Sequence, residues 1–165
     1  MKTPPPRVAA PGSGRGLRVL ILQSAFNDSV VAGLSLGALE YTAEVGASAE
    51  VQVVPGAFEL PLIAQTAAFT GRYDAIVALG AVIKGETDHY EHIARESARG
   101  IMEAGLTTGV PVSFGVLTVT KQADAVSRSK PGRHNKGREA AAAAVDAALL
   151  IQKLTATRAS VRRKK

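Results

Sequence analysis

The 165-residue sequence contains no cysteine and no tryptophan, and aromatic residues make up only 4% of it. Without cysteine there can be no disulfide framework, thiolate metal site or thiol nucleophile. With so few rings, the 46% of hydrophobic residues must build a core from Ala, Val, Leu and Ile. No apolar run approaches the ~20 residues a membrane span needs. The opening MKTPPPRVAAPGSGRG lacks the apolar central segment of a secretory signal. The expectation is a soluble cytoplasmic protein with no membrane partner, long enough for one domain with its own core. A P-loop, a G-x-G-x-x-G and a G-x-S-x-G are also missing, so the common phosphate-loop and serine-hydrolase signatures do not apply.

Acidic residues are absent from both ends. Lys2, Arg7 and Arg15 lie before residue 17, and Arg158, Arg162, Arg163, Lys164 and Lys165 lie after residue 157. Between them, 12 basic residues face all 14 acidic ones, a net of −2. The pI of about 9.9 therefore belongs to the ends. The body has no interleaved basic and aromatic surface of the kind single-strand binders use, so no nucleic-acid partner is expected.

Residues 1–16 are rich in Pro and Gly and read as a flexible or extended arm. Residues 17–157 read as one domain, and 158–165 as a basic tail. Within the domain, short β-branched runs at 17–23, 51–54, 73–85 and 110–119 alternate with helical patterns at 26–47, 57–71, 88–106 and 120–129. A long Ala-rich helix over 136–159 closes the chain. Asn27 or Asp28 is placed to cap the first helix, and Pro61 falls in the first turn of the second. Ile93, Ser97, Ile101 and Met102 form the apolar stripe of the third. Nearly continuous apolar strands with intervening helices predict an α/β fold. This is a flavodoxin-like three-layer α/β/α sandwich on a four-stranded parallel sheet.

Ligands of such sheets gather beyond the carboxyl ends of the strands, which selects SAFND, PGAFE, KGETDH and TVTK. In KGETDH, Thr87 or Asp88 can cap a helix whose free amides suit an anion. An ordinary capped helix would read the same way, and Glu86 and Asp88 oppose an anion. His89, in the first turn, is the natural proton carrier at neutral pH. With His92 it makes H-x-x-H rather than H-E-x-x-H, so no metal site is expected. Phe26 either stacks on a flat ligand or packs in the core. Glu59 either accepts from ligand hydroxyls or only complements its helix. Arg128, Lys130, Arg133, Lys136 and Arg138 form a cationic stretch suited to an anionic group or to solvent.

Taken together, FND, VPGAFELPL, DAIVALGAVIKGETDHYEHIA, FGVLT and NKGREAAAAAV stand in an order and spacing that resembles the lumazine synthase family over residues 17–155. The resemblance implies condensation of 5-amino-6-ribitylaminouracil with 3,4-dihydroxy-2-butanone 4-phosphate, without cofactor, giving 6,7-dimethyl-8-ribityllumazine, phosphate and water. It implies that Phe26 stacks on the pyrimidine and that Ala57, Phe58 and Glu59 hold the ribityl chain. The uracil would meet the backbone of Ala81, Val82 and Ile83, with Phe114 as a wall. Glu86 and Thr87 would offer phosphate-facing amides, with Arg128 as the pairing cation, Lys136 assisting and His89 carrying protons. The family further implies a homo-oligomer, pentamer or icosahedral 60-mer, with sites between subunits and riboflavin synthase as a further partner.

This chain departs from the family pattern at Ala25, where arginine is usual, and at Asp88, where threonine is usual. Gly132 and His134 also stand in place of lysine and glycine. The departures bear on phosphate affinity and rate. A catalytically weak shell-forming or flavin-binding relative is the competing expectation.

Overall fold

Nearly continuous apolar runs give the central strands two buried faces, and the sheet is covered on both sides accordingly. The computed structural model describes residues 9–162. In chain order the elements are β1 (Arg18–Ser24), α1 (Asp28–Val45), β2 (Ser48–Val54), α2 (Leu60–Phe69) and β3 (Ala75–Ile83). They continue as α3 (His89–Thr108), β4 (Val112–Val119), α4 (Gln122–Ser129) and α5 (Lys136–Arg162). The sheet is wholly parallel with order β2-β1-β3-β4. Val19 and Ile21 of β1 pack with α1 and α5 in one cluster, while Leu20 and Leu22 pack with α2 and α3 in the other. This is the expected three-layer architecture, with α1, α4 and α5 on one face and α2 and α3 on the opposite one.

Several boundaries differ from the sequence reading. β2 begins at Ser48, three residues earlier than expected, because the Ser48 amide and hydroxyl both donate to Leu17 O, at 3.0 and 3.1 Å. The part of the arm at residues 9–16 is folded. Gly14 N–H donates to Val45 O at 2.8 Å and Ala9 N–H to the Tyr41 hydroxyl at 3.3 Å, so these turns dock on the end of α1. Residues 1–8 and 163–165 lie outside the described residues. The helical part of the basic tail continues α5 to Arg162.

In α3, Ser97, Ile101 and Ala104 are buried but Met102 is exposed. Ile101 and Met102 are adjacent, about 100° apart around the helix, so only one can face the layer beneath. Pro61 does sit in the first turn of α2, and a Cβ on Gly100 of α3 would lie 2.7 Å from its ring.

The α1–α5 contact is tight, with backbone close to backbone. Gly33 and Gly37 of α1 face Ser129 and Asn135, and Gly137 of α5 faces the Leu34 backbone. Arg138 then forms a two-pronged pair with Glu44 and lies over the Tyr41 ring. That guanidinium holds the Glu44 carboxyl below its ordinary range.

Candidate active site

The switch point of this sheet lies between β1 and β3, where the chain reverses its direction of winding. Phe26 stands just past β1 and is 72% exposed, which decides against a core role. Its ring borders the β2–α2 corner: a Cβ on Gly56 would lie 3.4 Å from Phe26 Cδ2 and 2.9 Å from Glu59 Oε2. Phe26, Gly56 and Glu59 therefore form one wall. Phe58 is exposed beside it, while Ala57 is buried against Gly80 of β3.

Asn27 does not cap α1 with its side chain. It adopts the left-handed conformation, φ 56°, the one non-glycine residue among those described to do so. Its Nδ2 donates instead to Ala81 O at 2.8 Å. The β1–β3 ladder ends at Gln23 and Leu79, so the Asn27 amide supplies a rung where the strand has run out. This side-chain bond spans 54 residues, and nothing in the sequence announced it.

That rung also fixes the direction of the β3 backbone. Ile76 and Lys84 donate toward the β4 side, to Pro111 O and Val119 O, both at 2.9 Å. Ala81 accepts from the β1 side. Alternate residues along a strand serve opposite neighbours, so the N–H and C=O of Ile83 face the β1 side, beyond the end of the paired segment. A backbone donor and acceptor thus face the side of the sheet on which Phe26 follows β1, suited to the edge of a planar heterocycle.

Glu86, Thr87, Asp88 and His89 are all exposed at the β3–α3 corner. Neither Thr87 nor Asp88 caps α3 with its side chain. Asp88 already has helical angles, φ −73° and ψ 0°, whereas a capping residue normally takes extended angles to fold its oxygen back. His92 is engaged within its own helix, its Nδ1 lying 3.3 Å from Arg95 Nη2.

Phe114, Arg128 and Lys136 meet elsewhere. With Thr118 and Glu139 they line a cavity of about 490 Å³ along the outer edge of β4, which no residue of the switch-point group lines. Arg128 Nη1 donates to Asp124 O and Oδ1 at 3.0 and 3.3 Å, and Lys136 Nζ to Glu139 Oε2 at 2.6 Å. Both cations remain partly exposed. Gly132, in the connection between α4 and α5, has φ 121°, a conformation in which the lysine expected from the family pattern would be strained.

The site residues therefore fall into two groups. The first, with Phe26, Glu59, Ala81–Ile83 and Glu86–His89, lies over the carboxyl ends of β1 to β3. The second, with Phe114, Arg128 and Lys136, lies at the sheet edge. Sequence reasoning missed Asn27 as a tether, Glu139 as the partner of Lys136, and Asn135 as the residue between the two cations.

Residues 16–152 match the family model described as 6,7-dimethyl-8-ribityllumazine synthase. The chain is 49% identical over 140 residues to 6,7-dimethyl-8-ribityllumazine synthase 1 of Caulobacter vibrioides, covering 83% of this chain and 92% of that one. It is 44% identical over 142 residues to 6,7-dimethyl-8-ribityllumazine synthase of Thermococcus gammatolerans, covering 86% and 92%.

Proposed function

Because the chain belongs to the 6,7-dimethyl-8-ribityllumazine synthase family, we propose a role for each of its site residues in that family's reaction. The enzyme is a transferase of riboflavin biosynthesis. It condenses 5-amino-6-(D-ribitylamino)uracil with 3,4-dihydroxy-2-butanone 4-phosphate to 6,7-dimethyl-8-ribityllumazine, phosphate and water.

The pyrimidine stacks on Phe26 and meets the backbone of Ala81, Val82 and Ile83 at its edge. Ala57, Phe58 and Glu59 hold the ribityl chain, the carboxylate accepting from its hydroxyls. The primary amine attacks the ketone carbonyl, and loss of water gives a Schiff base. Phosphate then leaves, and the ribitylamino nitrogen closes the second ring as another water departs. Each stage moves protons, for which His89 is placed at the β3–α3 corner. The departing phosphate is met by the amides of Glu86 and Thr87 and by Arg128, with Lys136 assisting and Phe114 closing the wall.

The observation that carries this reading is the wall of Phe26, Gly56 and Glu59 standing by the end of β3, whose β1-facing side has no strand partner past Leu79. The second group lies on a different edge of the same chain. That separation supports a homo-oligomer in which one copy brings Arg128 and Phe114 to the Phe26 and His89 of the next. Pentamers or 60-mers are the forms proposed, with riboflavin synthase as a further partner of the shell. We place the enzyme in the cytoplasm; no helix among the described residues is long and apolar enough to cross a membrane.

Mixing the purified protein with both substrates should raise the lumazine absorbance well above the spontaneous rate. An unchanged rate would end the reading. Light scattering should report a mass near five or sixty chains.

Two substitutions test the corner. His89→Gln should lower kcat about tenfold, short of the ~10²-fold lower end of general acid–base help, because the condensation also proceeds unaided. Its KM values should hold.

Asp88→Asn should act in the opposite direction on two quantities. Removing a carboxylate from a helix start worth ~0.3–1 kcal/mol slightly lowers the melting temperature. The same removal strengthens inhibition by inorganic phosphate, by about two- to fivefold on that scale. Weaker phosphate binding in D88N would count against an anion at this corner.

A further inference from the structure

The cationic half of the site depends on a buried amide. Asn135 lies between α4 and α5, is only 2% exposed, and touches no part of the cavity. Its Nδ2 shares two protons among Gly33 O at 2.9 Å, Ser129 O at 2.9 Å and Lys130 O at 3.1 Å. Its Oδ1 accepts from Gly137 N at 2.9 Å and Arg138 N at 3.0 Å, capping the first turn of α5. One side chain thus binds the last turn of α4, the first turn of α5 and the middle of α1.

Arg128 precedes the Ser129 carbonyl that this amide grips, and Lys136 follows Asn135 directly. A Cβ on Gly33 would come 2.6 Å from Ser129 O and one on Gly37 2.2 Å from Asn135 Oδ1, so the surrounding helix leaves no slack. The two cations otherwise pair only with Asp124 at the surface and with the half-buried Glu139, each within the same helix, and such local pairs are worth little. The backbone carrying them is held from within.

We propose that Asn135 is a positioning residue for the phosphate subsite, setting the spacing between Arg128 and Lys136 without touching substrate. The inference rests on the reading of those two cations as phosphate ligands.

The test is N135D in the assembled enzyme. The carboxylate keeps the acceptor that caps α5 but turns its other oxygen against three carbonyls. Loss of these donors should raise the KM for the ketone phosphate about tenfold, the size of a net hydrogen bond to a single group. Inhibition by inorganic phosphate should weaken in parallel, with the KM for the pyrimidine changing less than about twofold. In an R128A background, N135D should add almost nothing, because both act on the same contact.

Equal rises in both KM values, or full additivity with R128A, would make Asn135 a purely structural residue and overturn the proposal. Should N135D not fold, Asn135→Ser, which keeps an oxygen at the cap and is too short for the three carbonyls, decides in the same way. If R128A itself leaves the KM for the ketone phosphate unchanged, the phosphate reading fails. If R128A raises it and the Asn135 variants do not, only the role of Asn135 fails.

Discussion

Gly137→Ala is expected to destabilise the fold severely. Two physical effects oppose each other at this position. Alanine is the better helix former by ~1 kcal/mol, so propensity alone predicts a more stable α5. The added methyl, however, would lie 1.9 Å from Leu34 O, 2.5 Å from its carbonyl carbon and 2.7 Å from its Cα. These are backbone atoms of α1, and no rotamer change moves them away.

The helices must separate, which breaks the Asn135 bonds at the same junction and opens a core of Leu34, Ala38, Ala141 and Val145. Overpacking typically costs ~1–3 kcal/mol. With the polar network lost as well, the total should exceed ~4 kcal/mol, among the largest effects of single substitutions. At ~2–4 °C per kcal/mol for a chain of this size, the melting temperature should drop by more than about 10 °C. Gly85→Ala is the control, since a Cβ there meets nothing within 4 Å. A melting temperature for G137A at or above that of the parent would show that the helix contact is looser than described.

Arg128→Ala should reduce kcat/KM by about a hundredfold. A charge-assisted bond from guanidinium to phosphate is worth ~1.5–3 kcal/mol, and ~2.7 kcal/mol corresponds to two decades. The loss should fall on the ketone phosphate rather than the pyrimidine. Stability should barely change, because Arg128 is paired only with Asp124 at the surface.

The same variant tests where the two halves of the site meet. Co-expressed with H89Q, it should recover about a quarter of parental activity, since random mixing leaves that share of pockets with both intact residues. If the pocket is built within one chain, every copy carries a defect, and activity stays at or below about the tenth left by H89Q.

Much of this was legible in the sequence because it depends on local periodicity. The four strands announced themselves by β-branched runs, and the closing helix by its alanines. Pro61 marked the start of α2 correctly. Residues 9–16 were misread because Pro and Gly composition is shared by loose arms and by tight turns. What distinguishes them is a distant partner, here Val45 O and the Tyr41 hydroxyl.

Asn27 and Asn135 were hidden for the same reason. The sequence offered Asn27 as a helix cap and gave Asn135 no role, yet their amide protons go to carbonyls 54, 102, 6 and 5 positions away. The motif pattern named the residues assigned to touch substrate. It could not show that Phe114, Arg128 and Lys136 sit on another edge from Phe26, because that depends on the strand order β2-β1-β3-β4.

If the two clusters, one over the carboxyl ends of the strands and one at the β4 edge, are shared between copies as proposed, an isolated copy owns two half-pockets and no whole one. A chain defective in one half still lends its other half to a neighbour, so each such fault disables one shared pocket. In a mixed population with intact chains, activity should therefore fall in proportion to the faulty share, and only a chain faulty in both halves would interfere dominantly. Specific activity should likewise fall as the protein is diluted toward dissociation, even while every chain remains folded.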